Sequence, residues 1–182
     1  MSSRAYEPVR KLAGSDAVES FDCGQSALNQ FLQRFAFVNQ KSNSAHTYTS
    51  CRSGSVVGFY SLAVGSVEPS KAAPRVTNGI TQQPVPVIIL ARLAVDLPRQ
   101  GAGLGKALRK DALLRTAQAA DIAGIRALLV HAKDEPARQC YLNWEFEPSP
   151  SDPFHLFRLL KDIKAIVGKA GVKSSRASLC HR

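Results

Sequence analysis

The most informative stretch of the chain is Leu90–Leu113, LARLAVDLPRQGAGLGKALRKDAL. It continues an apolar run, Val85–Val95, which predicts a buried strand interrupted only by Arg92. Asp96 and Pro98 end that strand, because proline has no N–H to donate to a neighbouring strand. A turn with three glycines then leads into a helix rich in leucine and alanine. Such a turn presents unpaired amides at the positive end of a helix dipole, so it predicts a phosphate-binding site.

Two widespread phosphate-binding loops do not fit this turn. A dinucleotide fingerprint needs a third glycine where the chain has Lys106. A P-loop needs a hydroxyl residue where the chain has Ala107, and one more residue between Gly101 and Gly105. The pattern that remains, Q-x-x-G-x-G from Gln100, resembles the pyrophosphate-binding turn of GCN5-related N-acetyltransferases. Its place after a buried strand favours a coenzyme A site over an ordinary glycine-rich turn.

Composition favours a soluble, globular protein with an anionic partner. Hydrophobic residues make up 45% of the chain, but no apolar run is long enough to span a membrane. The first residues do not resemble a signal peptide, and the four cysteines lack metal-ligand spacing. We therefore expect a cytoplasmic protein with free thiols and no metal. Lys and Arg number 24 against 14 Asp and Glu, a net charge of +10, which favours nucleic acid as a partner over a merely basic surface.

The hydrophobic pattern predicts an α/β fold in the order β, α, ββ, βα, βα, ββ, with helices on both faces of a mixed sheet. Leu28, Phe31, Leu32, Phe35 and Val38 have the spacing of one buried helix face. Further strands are predicted at residues 9–12, 46–51, 56–67, 125–132, 146 and 154–160. Further helices should begin near residues 104, 135 and 160.

Two segments predict irregular structure. Glu68–Gln83 is rich in Pro, Ser, Lys, Gly and Thr, which indicates a mobile loop over a cleft rather than a linker. The chain after Val167 is small, polar and basic. We therefore expect one domain over residues 1–167 and a disordered tail over residues 168–182. Within the strand at 56–67, Gly58 and Gly65 predict a bulge or the close approach of another backbone.

Six blocks of the sequence resemble, in order, one subgroup of the acetyltransferase family. They are FDCGQSALNQFL, GFYSLAVGSV, LARLAVD, QGAGLGKAL, LLVHAKDEPARQCY and FEPSPSDPFHL. The subgroup is that of the acetyltransferase toxins of bacterial toxin–antitoxin modules, the TacT and AtaT kind. The resemblance extends to about residue 165 and implies the GCN5-related fold with a mostly antiparallel sheet.

The resemblance also implies a reaction and the residues that carry it. The donor is acetyl-CoA, and the acceptor is the α-amino group of an aminoacyl-tRNA, so that acetylation blocks translation. Backbone groups of Ala94 and Val95 would pair with the pantetheine arm of the coenzyme. Tyr141 matches the family's tyrosine and would protonate the departing thiolate. The residues expected to hold the pyrophosphate are Gln100, Gly101, Ala102, Gly103, Leu104, Gly105 and Lys106.

The partners that the resemblance implies are aminoacyl-tRNA and a ribbon–helix–helix antitoxin whose tail wraps the toxin. Contact with DNA would occur only through that antitoxin, and no membrane is involved. Whether the chain forms a homodimer is open at this point.

Several of these residues also have purely structural interpretations. Tyr141 could instead be a core aromatic that packs against Trp144 and Phe146. Arg92 would be costly to bury without a partner, so it should face the cleft and the tRNA, or form a salt bridge beneath the sheet. His131 is either a proton relay or a structural histidine.

The sequence offers no strong general base. An α-amino group titrates at about 7.7–8.0, and esterification lowers this further, so much of the acceptor is already neutral. A water molecule or a strand carbonyl could therefore accept the last proton. Cys140 has no basic partner at a defined spacing, which argues against a covalent nucleophile.

One position departs from the family. Asn143-Trp144-Glu145-Phe146 has Glu145 where the family usually has glycine. If this position is left-handed, Glu145 is strained by about 1 kcal/mol relative to glycine.

Three functions compete at this stage. The first is a toxin that acetylates aminoacyl-tRNA. The second is an N-acetyltransferase for small amines or protein N-termini, which for polyamines predicts an acidic acceptor groove. The third is a weak enzyme that serves mainly as a corepressor with its antitoxin, which the intact Gln100, Gly103, Gly105 and Tyr141 argue against.

Overall fold

The computed structural model describes residues 5–178, with side chains described as far as Lys169. Its strands are β1 (Arg10–Lys11), β2 (His46–Arg52), β3 (Ser55–Val67), β4 (Val85–Val95), β5 (Ala127–His131), β6 (Glu147–Pro148) and β7 (His155–Leu159). Over the described residues they form one sheet in the order β1-β2-β3-β4-β5-β7-β6. The pairs β1–β2, β2–β3, β5–β7 and β6–β7 are antiparallel. The predicted α/β fold is confirmed.

The helices are α1 (Ser26–Gln30), α2 (Ala36–Lys41), α3 (Pro74–Thr77), α4 (Leu104–Ala120), α5 (Glu135–Asn143) and α6 (Leu160–Ser178). The last helix continues past residue 167, so the segment 168–178 is helical where the sequence predicts a disordered tail. The remaining tail residues, 179–182, lie outside the described residues.

The described chain divides into two compact units. The first unit combines the residues up to Val64 with Leu90–Ala112. The second unit combines Gly65–Ile89 with the described residues from Leu113 onward.

In the first unit, the helix after residue 25 differs from its predicted pattern. A π-helical turn, Phe31–Phe35, joins α1 to α2, and the amide of Ala36 donates to the carbonyl of Phe31. This wider turn adds one residue to the helical repeat, so the side chains of α2 are rotated relative to those of α1. As a result Ala36 is buried, while Phe35 is 50% and Val38 is 60% exposed. The prediction that Phe35 and Val38 share the buried face with Phe31 is therefore wrong.

The β2–β3 hairpin and the start of α4 pack closely in the same unit. The hairpin register shifts between Ser50 and Cys51, opposite Gly58, so the predicted bulge is present. A Cβ atom on Gly58 would lie 3.0 Å from Leu108 and 3.1 Å from Leu104, both on α4. The close approach is therefore to helix side chains, and it lets the N-terminal half of α4 lie against β3. The phenol of Tyr60 on β3 also donates to the Asp111 carboxylate on α4, at 2.5 Å.

In the second unit, the segment 68–83 is ordered by its own core. It forms a one-turn 3₁₀ helix, Pro69–Lys71, followed by α3. Ala72, Ala73 and Val76 are almost fully buried in a cluster with strand residues such as Val85 and Phe157. The Arg126 guanidinium donates to two carbonyls of this segment, Val76 at 2.8 Å and Asn78 at 2.6 Å. The predicted irregular loop is therefore partly helical, because its small apolar residues are buried and fix two short helical turns.

Candidate active site

The glycine turn before α4 has the geometry expected of a phosphate-binding turn. Gly101 and Gly103 have φ angles of 78° and 88°, a region that favours glycine. Residues 101–103 are exposed, and a Cβ atom at either glycine would meet nothing within 4 Å. Buried Leu104 anchors the first turn of α4. The amide of Ala107 donates to the Gly103 carbonyl at 3.1 Å, and the amides before it are the ones that a helix start leaves unpaired.

Gln100 holds this turn in place rather than pointing away from the protein. Its side-chain amide donates to the carbonyl of Val95 at 2.9 Å and to that of Cys23 at 3.2 Å. It therefore fixes the distance between the end of β4 and the start of the turn. The Val95 carbonyl keeps a second lone pair, so it can still accept from a ligand.

A second segment supports the end of β4 by reciprocal hydrogen bonds. The Asp22 amide donates to the Asp96 carboxylate at 2.9 Å, and the Leu97 amide donates to the Asp22 carbonyl at 2.8 Å. The Asp22 carboxylate accepts from the Gly24 amide at 2.8 Å and from the Asn29 side chain at 2.9 Å. These two donors hold the pKa of Asp22 below its ordinary value. The turn Phe21–Gly24 thus supports the end of β4 by hydrogen bonds. The D-x-G pattern predicts a turn here, but it does not predict this contact with a distant strand.

Arg92 is half-buried and lies over an aromatic ring. Its guanidinium carbon is 3.9 Å from the centre of the Phe31 ring, on the π-helical turn. Among residues 5–178 no salt bridge of Arg92 is found, so the alternative of an ion pair beneath the sheet is not realised. The ring stabilises the positive charge without neutralising it.

Tyr141 belongs to the second unit and lies near the end of α5. The start of that helix follows the prediction, since the Asp134 carboxylate caps it by accepting from the Ala137 amide at 2.9 Å. The Tyr141 ring is half-buried and meets Phe146 edge-on, with ring centres 5.3 Å apart. Tyr141 therefore packs against Phe146, as its structural interpretation predicts, and this contact restricts the ring.

Glu145 adopts the left-handed conformation that the family's glycine implies for this position. Its φ angle is 61°, at the position where the family usually has glycine. Its carboxylate accepts from Arg158 at 2.9 Å, and the same guanidinium donates to the Trp144 carbonyl at 2.8 Å. The Arg158 side chain is 5% exposed and that of Glu145 is 81% exposed. An ion pair with a buried arginine therefore accompanies the unusual residue. Arg158, a lone charge in the apolar strand FHLFRLL, could have been singled out as Arg92 was.

His131 lies against a second histidine. The His131 ring stacks on His155, with ring centres 4.1 Å apart. Partial desolvation, and then the neighbouring His155, lower the pKa of His131 below its ordinary value. A lowered pKa favours the neutral imidazole, and the ring stacking gives His131 a structural contact as well.

Neither a metal cluster nor a membrane-spanning helix is found in the described part of the chain. No group of three or more His, Cys, Asp or Glu side chains within residues 5–178 could hold a metal ion. No helix in the same range is long and apolar enough to cross a bilayer.

Comparison with known proteins places the chain among toxins. It is 45% identical over 163 residues to a tRNA-acetylating toxin of Mycobacterium tuberculosis (strain ATCC 25618 / H37Rv), covering 90% of this chain and 98% of that protein. No family model matches the chain.

Solved structures agree. The structure of AtaT complexed with acetyl-methionyl-tRNAfMet matches with a TM-score of 0.82 and 26% identity, over 90% of this chain and 99% of that chain. A tyrosine-to-phenylalanine mutant of AtaT, bound to the C-terminus of the antitoxin AtaR and to acetyl-CoA, matches with a TM-score of 0.75 and 27% identity, over 89% and 97%. The AtaT–AtaR complex bound to DNA matches with a TM-score of 0.70 and 26% identity, over 88% and 99%. The chain therefore belongs to the tRNA-acetylating toxins, the TacT- and AtaT-like branch of the GCN5-related N-acetyltransferases.

Proposed function

We propose that this chain is an N-acetyltransferase toxin that transfers the acetyl group of acetyl-CoA to the α-amino group of an aminoacyl-tRNA. An acetylated amine cannot attack the peptidyl ester in the ribosome, so translation stops. The observation that carries the proposal is the exposed turn before α4, where two left-handed glycines open the first amides of a helix to an anion. The family membership supplies the identity of that anion as the pyrophosphate of coenzyme A.

The coenzyme is held mainly by backbone groups. Ala94 and Val95 at the end of β4 pair with the amide groups of the pantetheine arm. The amides of Gly101, Ala102, Gly103, Leu104, Gly105 and Lys106 bind the pyrophosphate. Gln100 positions this turn through its hydrogen bonds to Val95 and Cys23, and contributes to coenzyme binding in that way.

Tyr141 supplies the proton for the leaving group. When the amine attacks the thioester carbonyl, the C–S bond breaks and the thiolate takes the phenolic proton. The edge-on contact with Phe146 restricts the ring and so favours one direction for the hydroxyl. The amine of an aminoacyl ester is largely neutral at about pH 7.5, so its last proton can pass to water.

The acceptor is bound largely through its phosphates. The net charge of +10 provides the long-range attraction, and Arg92 is a local cation that Phe31 holds in one place. The net positive charge disfavours cationic polyamines as the acceptor.

The relatives that were solved with an antitoxin and with DNA support a wider proposal. We propose a ribbon–helix–helix antitoxin as the protein partner, DNA contact only through that antitoxin, and a cytoplasmic location. A single catalytic domain over residues 1–167 belongs to the same proposal.

The direct test is transfer of labelled acetyl groups to defined acceptors. The purified protein is incubated with labelled acetyl-CoA and a mixture of charged tRNAs, and in parallel with the same tRNAs after deacylation. Label should appear in the charged RNA and be absent from the deacylated RNA. Spermidine and a peptide are offered as acceptors in further parallel reactions. Label in either of them, with none in charged tRNA, would instead support the small-amine or N-terminal acetyltransferase.

A further inference from the structure

A basic pocket lies in the first unit, outside the turn assigned to the coenzyme. It has a volume of about 340 Å³ and lies between the β2–β3 turn and the one-turn 3₁₀ helix Leu97–Arg99. Two arginines, Arg52 and Arg99, line it together with serine hydroxyls and Asp96. None of residues 101–106 lines it, so the pocket is separate from the turn proposed to bind the pyrophosphate of the coenzyme.

The two arginines of this pocket have no protein partner within residues 5–178. Both are half-buried, and the Nε atom of Arg99 is buried without a hydrogen-bond acceptor. In the same range neither arginine forms an ion pair or a side-chain hydrogen bond. Withdrawing a guanidinium from water without a partner is unfavourable, and two like charges at one pocket add repulsion. An anion in the pocket would remove both costs.

Asp96 does not fill this role. Its carboxylate accepts from the Asp22 amide at 2.9 Å and so holds the turn Phe21–Gly24 against the end of β4. With two arginines and one aspartate, the pocket keeps one net positive charge.

We propose that this pocket binds a backbone phosphate of the tRNA acceptor. A guanidinium presents parallel N–H donors that match two phosphate oxygens, which a lysine cannot do. Ser53 on the hairpin turn and Ser55 at the start of β3 supply hydroxyl donors at the same pocket. The identity of the anion as RNA rests on the proposed function, whereas its phosphate chemistry rests on the pocket alone. A phosphate held here would fix the RNA relative to the strand end that carries Ala94 and Val95.

The test compares Arg52→Met and Arg99→Met with a control, Arg34→Met. Arg34 is an exposed arginine of the same unit that does not line the pocket, so the control removes the same charge. Affinities for uncharged tRNA and for acetyl-CoA are measured separately, without turnover. Each pocket variant should weaken tRNA binding by about tenfold or more, because a charge-assisted hydrogen bond is lost, and leave acetyl-CoA affinity unchanged. Arg34→Met should weaken tRNA binding by no more than about threefold, and Arg99→Lys should fall between wild type and Arg99→Met.

Inorganic phosphate provides a probe that does not depend on RNA. In nitrogen NMR spectra of the arginine Nε groups, the signal that disappears in Arg99→Met should shift when phosphate is added to the wild-type protein. The proposal is overturned if that signal does not move, or if the pocket variants bind tRNA as the control does. Weaker binding of acetyl-CoA but not of 3′-dephospho-acetyl-CoA would assign the pocket to the coenzyme and overturn the RNA assignment. Because binding is read without catalysis, tRNA bound at the pocket but never acetylated would refute the proposed function and leave the pocket intact.

Discussion

Replacing Gly103 by aspartate separates coenzyme binding from folding. Gly103 is exposed at the tip of the turn, and a Cβ atom there meets no neighbour within 4 Å. The side chain can therefore be placed without a clash, and the cost to folding comes from the φ angle of 88°. We expect Gly103→Asp to lower the free energy of unfolding by about 1–2 kcal/mol, a typical cost of the left-handed conformation. That is a fall of about 2–8 °C in Tm for a protein of this size.

The effect on acetyl-CoA should be larger. A carboxylate about 4 Å from one pyrophosphate charge is opposed by about 4 kcal/mol at an effective dielectric constant of about 20. Since about 1.4 kcal/mol corresponds to a tenfold change in Kd, the affinity should fall by about three orders of magnitude. Calorimetric titration with acetyl-CoA at matched ionic strength measures this directly.

The chain offers a matched control in Gly79. It has a φ angle of 76°, and a Cβ atom added there would likewise meet nothing within 4 Å, but it lies in the segment before β4, outside the turn. Gly79→Asp should show a similar loss of stability and unchanged acetyl-CoA affinity. If Gly103→Asp binds acetyl-CoA as tightly as Gly79→Asp does, the glycine turn is not the coenzyme site.

Three further changes test other parts of the proposal. Tyr141→Phe keeps the packing on Phe146 and removes the proton donor. Turnover in the acetyl-transfer assay should therefore fall by about 100-fold or more, while the affinity for acetyl-CoA is retained. Undiminished turnover would show that Tyr141 has only a structural role. Glu145→Gly relieves about 1 kcal/mol of backbone strain but removes the carboxylate that pairs with Arg158, a charge-assisted hydrogen bond worth about 1.5–3 kcal/mol. Thermal unfolding should therefore show a net loss of stability of about 1 kcal/mol. A more stable variant would show that this exposed carboxylate contributes little. Arg92→Glu should raise the KM for charged tRNA more than the KM for acetyl-CoA. In the wild-type protein, tRNA binding should weaken steeply as the salt concentration increases. A tRNA affinity that does not depend on salt would exclude phosphate contacts as its basis.

The elements that the sequence predicted well are those with local signals at both ends. The strand Val85–Val95 has the predicted bounds, because an apolar run meets Asp96 and Pro98 directly. The cap of α5 at Asp134 and the open turn at Gly101 and Gly103 are also local features, fixed by a few adjacent residues. The left-handed geometry at Glu145 follows from the family's glycine alone.

The features that the sequence did not predict depend on contacts between distant parts of the chain. The π-helical turn cannot be read from spacing, because the residues Phe31–Phe35 fit an ordinary amphipathic helix equally well. The partner of Arg92 is a ring on that turn, far from it in sequence. The pairing of the Asp22 amide with Asp96 likewise joins residues that only the folded chain brings together.

The proposed function rests on transfer of the acetyl group to the α-amino group of the amino acid carried by tRNA. The most direct measurement is mass spectrometry of the RNA 3′ end after reaction with acetyl-CoA and ribonuclease digestion to the terminal aminoacyl-adenosine. We expect a mass increase of one acetyl group on the amino acid nitrogen, in wild type and not in Gly103→Asp. An acetyl group found on the ribose or base, or an unmodified aminoacyl-adenosine alongside acetylated protein or polyamine, would contradict it.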